Sequence, residues 1–143
     1  MTVGSILENK GRDVVTVEPS QKVWEAVSIL HERRIGALLV LDVDNRVLGI
    51  ISERDVVRIL CELGAQALER QISAVMTTSV TTVEEGASID DAMTIMTNNR
   101  FRHLPVVRDG SLVGVVSIGD VVKRRIDNAD REAEDLKAYI HTA

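Results

Sequence analysis

The sequence predicts a mixed α/β (α+β) fold made of two tandem repeats, each running strand, helix, strand, strand, helix, with one more helix after the second repeat. Three observations carry this reading. First, the stretch Gly49-Ile50-Ile51-Ser52-Glu53-Arg54-Asp55 returns as Gly114-Val115-Val116-Ser117-Ile118-Gly119-Asp120. Second, upstream of it the halves align at a constant offset of 66 residues, with Thr16-Val17-Glu18 on Thr82-Val83-Glu84, Ala26 on Ala92, Arg34 on Arg100, Leu38 on Leu104 and Val40 on Val106. Third, the offset falls to 65 between Gly49 and Gly114. The copies therefore differ in length only inside a turn, where a structural repeat tolerates it.

Each copy opens on a short strand, which Pro19 ends in the first. The first helix follows from Val23, Ala26, Val27 and Leu30, spaced i, i+3, i+4, i+7, and its counterpart from Ile89, Ala92, Met93 and Met96. Ser20 and Gly86 stand where N-caps are expected. Gly36–Leu41 and Val47–Ile51 read as strands joined at Asp44-Asn45; His103–Val107 and Leu112–Val116 read as strands joined at Asp109-Gly110, a strong hairpin signal. The second helices start at Ser52 and Ser117.

Two similar lead-ins, Val3–Leu7 and Ile72–Met76, stand before the copies. Lys10-Gly11-Arg12 is expected to be a solvent loop, and Gly64–Gln71 a linker that ends the first copy. After the second copy Ile126, Ala129, Ala133, Leu136 and Ile140 step by three and four, which predicts an amphipathic helix able to cover its own domain or to meet a second subunit. The predicted partition is repeat one over 1–66, repeat two over 67–125, and a C-terminal helix over 126–143.

Composition narrows the function. A chain of 143 residues, 45% hydrophobic and 27% charged, suits one globular unit, and with 2% aromatics its core must be aliphatic. A net charge of −5 and only Trp24, Phe101 and Tyr139 as stacking platforms argue against nucleic acid as a partner. The single Cys61 lies in an apolar helical run and reads as a buried thiol in a reducing compartment. No run approaches membrane-spanning length and Met1–Ser5 lacks the features of a leader, so a cytoplasmic location is expected.

The chemistry concentrates at the two strand-to-helix turns. A helix start offers unpartnered N–H groups and the positive end of the helix dipole, so each turn is a potential phosphate site. Ser-x-x-Asp there is also nearly a capping box, which satisfies backbone donors and binds nothing. Gly114–Gly119 has the span of a phosphate loop, but Asp120 stands where a Lys is needed, and no Gly-x-Gly-x-x-Gly occurs. His31, His103 and His141 lack ligand spacing to one another or to Cys61, so no metal site is expected.

The duplicated hydrophobic-Gly-hydrophobic-hydrophobic-Ser-x-x-Asp pattern, in this order of elements over roughly residues 1–125, resembles the cystathionine-β-synthase (CBS) domain family, whose members pair as Bateman modules. The resemblance implies two clefts between the repeats, related by a pseudo-twofold axis, that bind adenosine-containing ligands. Carried over by position, Asp55 and Asp120 would meet the ribose hydroxyls, and Ser52 and Ser117 would lie near phosphate. Thr16, Val17 and Ala37, and Thr82, Val83 and Pro105, would line the adenine ends. Basic residues should complete the phosphate sites, with Lys22, Arg54, Arg100, Arg102 and His103 as candidates. Because Arg54 stands where the second copy has Gly119, and Arg102-His103 stand where the first copy has Gly36-Ala37, unequal clefts are expected.

The expected function is a non-catalytic regulatory module. It would bind an adenine nucleotide (AMP, ADP or ATP) or NAD(H), form a homodimer, and signal energy or redox state to a protein target that the residues do not name. S-adenosylmethionine shares the adenosine, and the basic cluster favours a phosphate-bearing ligand over it. The alternative is a ligand-free interaction protein. A nucleotide-acting enzyme is the weakest reading, since no catalytic constellation is present.

Overall fold

Each half of the sequence forms its own three-stranded sheet in the computed structural model, which describes residues 1–142. The element order is α1 (Val3–Lys10), β1 (Thr16–Val17), α2 (Val23–Arg33), β2 (Ala37–Leu41), β3 (Val47–Ser52), α3 (Glu53–Leu63), a 3₁₀ helix (Gly64–Glu69), α4 (Ile72–Val75), β4 (Val83–Glu84), α5 (Ile89–Asn99), β5 (His103–Arg108), β6 (Ser111–Ser117) and α6 (Ile118–Thr142). The sheets have the orders β1-β2-β3 and β4-β5-β6. The mixed α/β class and the order of elements within each repeat follow the sequence reading.

One compact unit comprises residues 14–81 with 110–112. β1 runs parallel to β2 with Val17 opposite Val40, and β2 runs antiparallel to β3 with Ala37 opposite Ser52. A crossover helix is what a parallel pair requires, and α2 supplies it. Its apolar stripe enters the core as predicted: Val23, Ala26 and Leu30 are buried with Val17, Leu38, Val40 and Ile51, and Val27 packs at the edge. The helix starts later than Ser20 suggests. Lys22 is its N-cap, and the Glu25 carboxylate accepts from the Lys22 N–H at 2.7 Å.

The other unit comprises residues 1–13, 82–109 and 113 onward. β4 and β5 repeat the parallel register, Val83 opposite Val106. Ile89, Ala92 and Met96 are buried with Leu104, Val106 and Val116, while Met93 packs against that cluster. Ser88, not Gly86, caps α5, its hydroxyl accepting from the Asp91 N–H at 3.0 Å. At the β5–β6 turn Asp109 and Gly110 both take positive φ (52° and 84°), the backbone a tight two-residue hairpin needs.

The lead-ins do not stay with the repeats they precede, so the packing units differ from the sequence stretches 1–66 and 67–125. α1 packs on the second sheet: Val3 and Gly4 donate to the carbonyls of Ala87 and Glu85, both at 2.9 Å, and Val3, Ile6 and Leu7 lie in that unit's core. α4 and the residues after it pack on the first sheet, with Ile72 N–H on Gln21 O at 2.8 Å and a two-way backbone pair between Ile50 and Thr77 at 2.9 Å each. The repeated glycine makes this possible. A Cβ on Gly49 would lie 2.7 Å from both Met76 Sδ and Thr77 O, and one on Gly114 would lie 2.7 Å from a methyl of Leu7. Each glycine leaves the gap into which the other copy's lead-in fits.

Three further expectations change. The C-terminal helix is not a separate element over 126–143: α6 is one 25-residue helix that begins at the second strand-to-helix turn, and Ala143 lies outside the described residues. No glycine or proline interrupts the run from Val121 to Thr142, so nothing stops the helix. Cys61 is exposed, because the stripe of α3 that turns inward is set by Asp55 and Val56 and not by the later residues of the run. The segment Gly64–Gln71 contains a 3₁₀ helix, Gly64–Glu69, with Ala67 buried, and is not a bare linker. Among the described residues no helix is long and apolar enough to cross a membrane.

Candidate ligand-binding site

The two repeated turns have the same backbone. In each, a strand ends in Ser and the chain enters a helix beside the start of the neighbouring strand: Glu53 N–H donates to Gly36 O at 3.0 Å, and Ile118 N–H donates to Arg102 O at 2.8 Å. Both also form the capping box. Ser52 Oγ accepts from Asp55 N–H at 3.2 Å while Asp55 Oδ2 accepts from Ser52 N–H at 3.0 Å; the Ser117–Asp120 distances are 3.0 and 2.8 Å. The sequence therefore sets a local geometry that holds each carboxylate rigidly at a helix start.

The two carboxylates differ in what remains to them. Asp55 is 8% exposed. Besides the Ser52 N–H, its Oδ2 accepts from Ser52 Oγ at 3.0 Å, and its Oδ1 accepts from Thr77 Oγ1 and Arg58 Nη2, both at 3.2 Å. With about four acceptor positions on a carboxylate, Asp55 is saturated by the protein. Asp120 is more open, and among the described residues only its Oδ2 is engaged, by Ser117 N–H at 2.8 Å and by Lys10 Nζ at 2.6 Å. Burial pushes the Asp120 carboxyl up, but the hydrogen bonds from Lys10 and Ser117 and the Lys10 charge outweigh it, so the group titrates below its ordinary value.

Lys10 is the residue sequence reasoning misplaced. It ends α1, and its ammonium also donates to Val115 O at 3.0 Å, so it spans the turn that precedes Asp120. Arg12, from the same expected solvent loop, pairs with Glu85 at 2.6 Å, and Arg108 reaches the other Glu85 oxygen. The hydrogen bonds from Arg12 and then Arg108 hold the Glu85 carboxyl below its usual range. The charges of Lys10 and Arg12 were legible in the sequence, but partners 110 and 73 residues away were not.

The predicted residues are spread over both units. In the first unit Thr16 and Val17 lie on β1 opposite Leu39 and Val40, Ala37 pairs with Ser52, and Arg54 is exposed in the first turn of α3. In the second, Thr82 precedes β4, Val83 and Pro105 are buried in the sheet, and Arg102 and His103 are exposed where β5 begins. Arg100 is the left-handed C-cap of α5 (φ 57°), the same role that Arg34 (φ 54°) plays for α2. Lys22 is drawn elsewhere: its ammonium pairs with Glu69 at 2.8 Å, and that hydrogen bond first, with the Glu69 charge, raises its pKa.

With this geometry in place, comparison with known proteins is specific. The CBS domain family model matches residues 3–62 and 72–127. A CBS-domain-containing protein from Agrobacterium tumefaciens, ATU1752, is 47% identical with a TM-score of 0.75, over 87% of this chain and 92% of that one. CBSX2, solved in complex with AMP, is 28% identical with a TM-score of 0.74, over 90% and 98%. The CBS domain pair of protein MJ0100, solved with 5′-methylthioadenosine and S-adenosyl-L-methionine, is 25% identical with a TM-score of 0.72, over 90% and 98%.

Proposed function

We propose that this chain, which belongs to the CBS domain family and carries two copies of that domain in tandem, is a non-catalytic regulatory module that binds an adenosine-containing ligand. The observation that carries the reading is the duplicated turn, in which a capping box fixes a carboxylate beside the backbone of a parallel strand pair. A carboxylate oxygen can accept from a ribose hydroxyl, and the adjoining helix start and strand backbone offer N–H and C=O groups to phosphate and adenine. The relatives solved with AMP, 5′-methylthioadenosine and S-adenosyl-L-methionine share the adenosine that such a site would read.

The half-site at Asp120 is the stronger one. Its Oδ1 has no partner among the described residues, whereas a ribose at Asp55 must first displace Thr77 or Arg58. Arg102, His103 and Arg100 stand at the same end of that sheet as candidates for phosphate, which favours AMP, ADP, ATP or NAD(H). Regulation follows by linkage: a ligand that prefers one arrangement of the chain shifts its population, and a bound protein target feels the nucleotide level. The same reading has the module working in the cytoplasm as a homodimer.

Calorimetric titration with AMP, ADP, ATP, NAD and S-adenosylmethionine tests it, on wild type and on Asp120→Ala and Asp55→Ala. The expected result is one tighter site lost in Asp120→Ala and a weaker one lost in Asp55→Ala. Absence of binding to every ligand in that panel would reject the nucleotide reading and leave a protein-interaction module.

A further inference from the structure

We propose that the groove between α1 and α6 is a separate phosphate-binding site, suited to a small polyanion of the diphosphate class. The groove is open to solvent on one side and offers about 290 Å³, with Ile6, Asn9 and Lys10 on the α1 side and one face of α6, from Asp120 to Arg131, on the other. A water occupies about 30 Å³ of liquid, so a volume near 290 Å³ holds a diphosphate with part of its hydration shell.

Charge decides what fits. Lys10, Lys123, Arg124 and Arg131 line the groove against two carboxylates, Asp120 and Asp127. A surplus of two cations in one groove reverses the sign of a chain whose net charge is −5. The Asp120 charge is already taken up by Lys10 and the Ser117 N–H. Asp127 lies one helical turn from both Lys123 and Arg131, yet it pairs with neither among the described residues.

The cations come in two kinds. Lys10 is anchored on Asp120 and Val115 O, and Arg124 on Ser5 O at 3.2 Å, which fixes their positions in advance. The side chains of Lys123 and Arg131 make no hydrogen bond or ion pair among the described residues, so their donors are available without breaking a contact. Two anchored and two available cations, with the carboxamides of Asn9 and Asn128 between them, suit a ligand that accepts many hydrogen bonds and carries several negative charges. A single carboxylate would leave most of these donors unused. The site shares only Asp120 with the adenosine reading and uses none of Arg100, Arg102 or His103.

The test is calorimetric titration of the full chain with inorganic diphosphate at low salt, comparing wild type, K123Q/R131Q and the charge-matched control R33Q/K137Q. The substituted side chains are all exposed, and circular dichroism confirms that each variant folds. The expected result is saturable binding that K123Q/R131Q weakens by at least about tenfold and R33Q/K137Q leaves within about twofold. No saturable binding at millimolar diphosphate, or affinity that K123Q/R131Q changes no more than R33Q/K137Q does, overturns the proposal.

Discussion

Alanine at the two repeated glycines should have unequal costs, although the glycines occupy the same position in the two copies. At Gly49 the new Cβ would lie 2.7 Å from Thr77 O, which accepts from Ile50 N–H at 2.9 Å while Thr77 N–H donates to Ile50 O at 2.9 Å. Reaching ordinary contact at 3.4 Å means opening that gap by about 0.7 Å, which stretches both bonds past useful length. Two hydrogen bonds at about 1 kcal/mol each, plus about 1–3 kcal/mol of overpacking, less about 0.4–1 kcal/mol for the stiffer unfolded chain, leave about 2–4 kcal/mol of destabilisation. At Gly114 the obstacle is the end of the Leu7 side chain at 2.7 and 2.8 Å, which can turn aside for about 0.5–1.5 kcal/mol of rotamer strain. Less the same unfolded-chain gain of about 0.4–1 kcal/mol, Gly114→Ala should therefore cost at most about 1 kcal/mol. Urea unfolding reads the difference: with a slope of about 2 kcal/mol/M the midpoint of Gly49→Ala falls by about 1–2 M and that of Gly114→Ala by no more than about 0.5 M. A Gly114→Ala midpoint as low as that of Gly49→Ala, or two variants indistinguishable from wild type, would refute the close-approach account.

Lys10→Met should flatten the acid limb of the stability profile. Because Asp120 titrates below its ordinary 3.8 in the folded protein, its pairing adds stability that is complete above that value and disappears as pH falls through the lower folded pKa. Thermal melts between about pH 5 and 2 check this, and an unchanged pH slope in Lys10→Met would contradict it. Asp55→Asn should destabilise by about 1–3 kcal/mol, since a nearly buried acceptor of four hydrogen bonds gains donors that face Arg58 and Ser52; a melt within error of wild type would show that those contacts contribute little. Cys61 should react with a thiol-specific disulfide reagent at one equivalent without denaturant, and a thiol that reacts only after unfolding would place it inside the core instead.

What the sequence determined by itself is the part of the protein governed by near neighbours. The apolar spacing of Val23, Ala26 and Leu30 places α2 in the core because a helix brings every third and fourth residue to one face. Asp109-Gly110 makes the hairpin because that backbone needs two positive φ values. Ser52–Asp55 and Ser117–Asp120 close their capping boxes because the partners are three residues apart. Whether such a box leaves a carboxylate oxygen free is a different matter. Tertiary contacts decided it, saturating Asp55 from Thr77 and Arg58 and leaving Asp120 open beside Lys10. Tertiary structure likewise sent each lead-in to the other repeat's sheet, and that joining of Leu7 to Gly114 has no local signature. It depends on two surfaces far apart in the chain having matching shapes: a glycine without a side chain, and a leucine that fills the space it leaves.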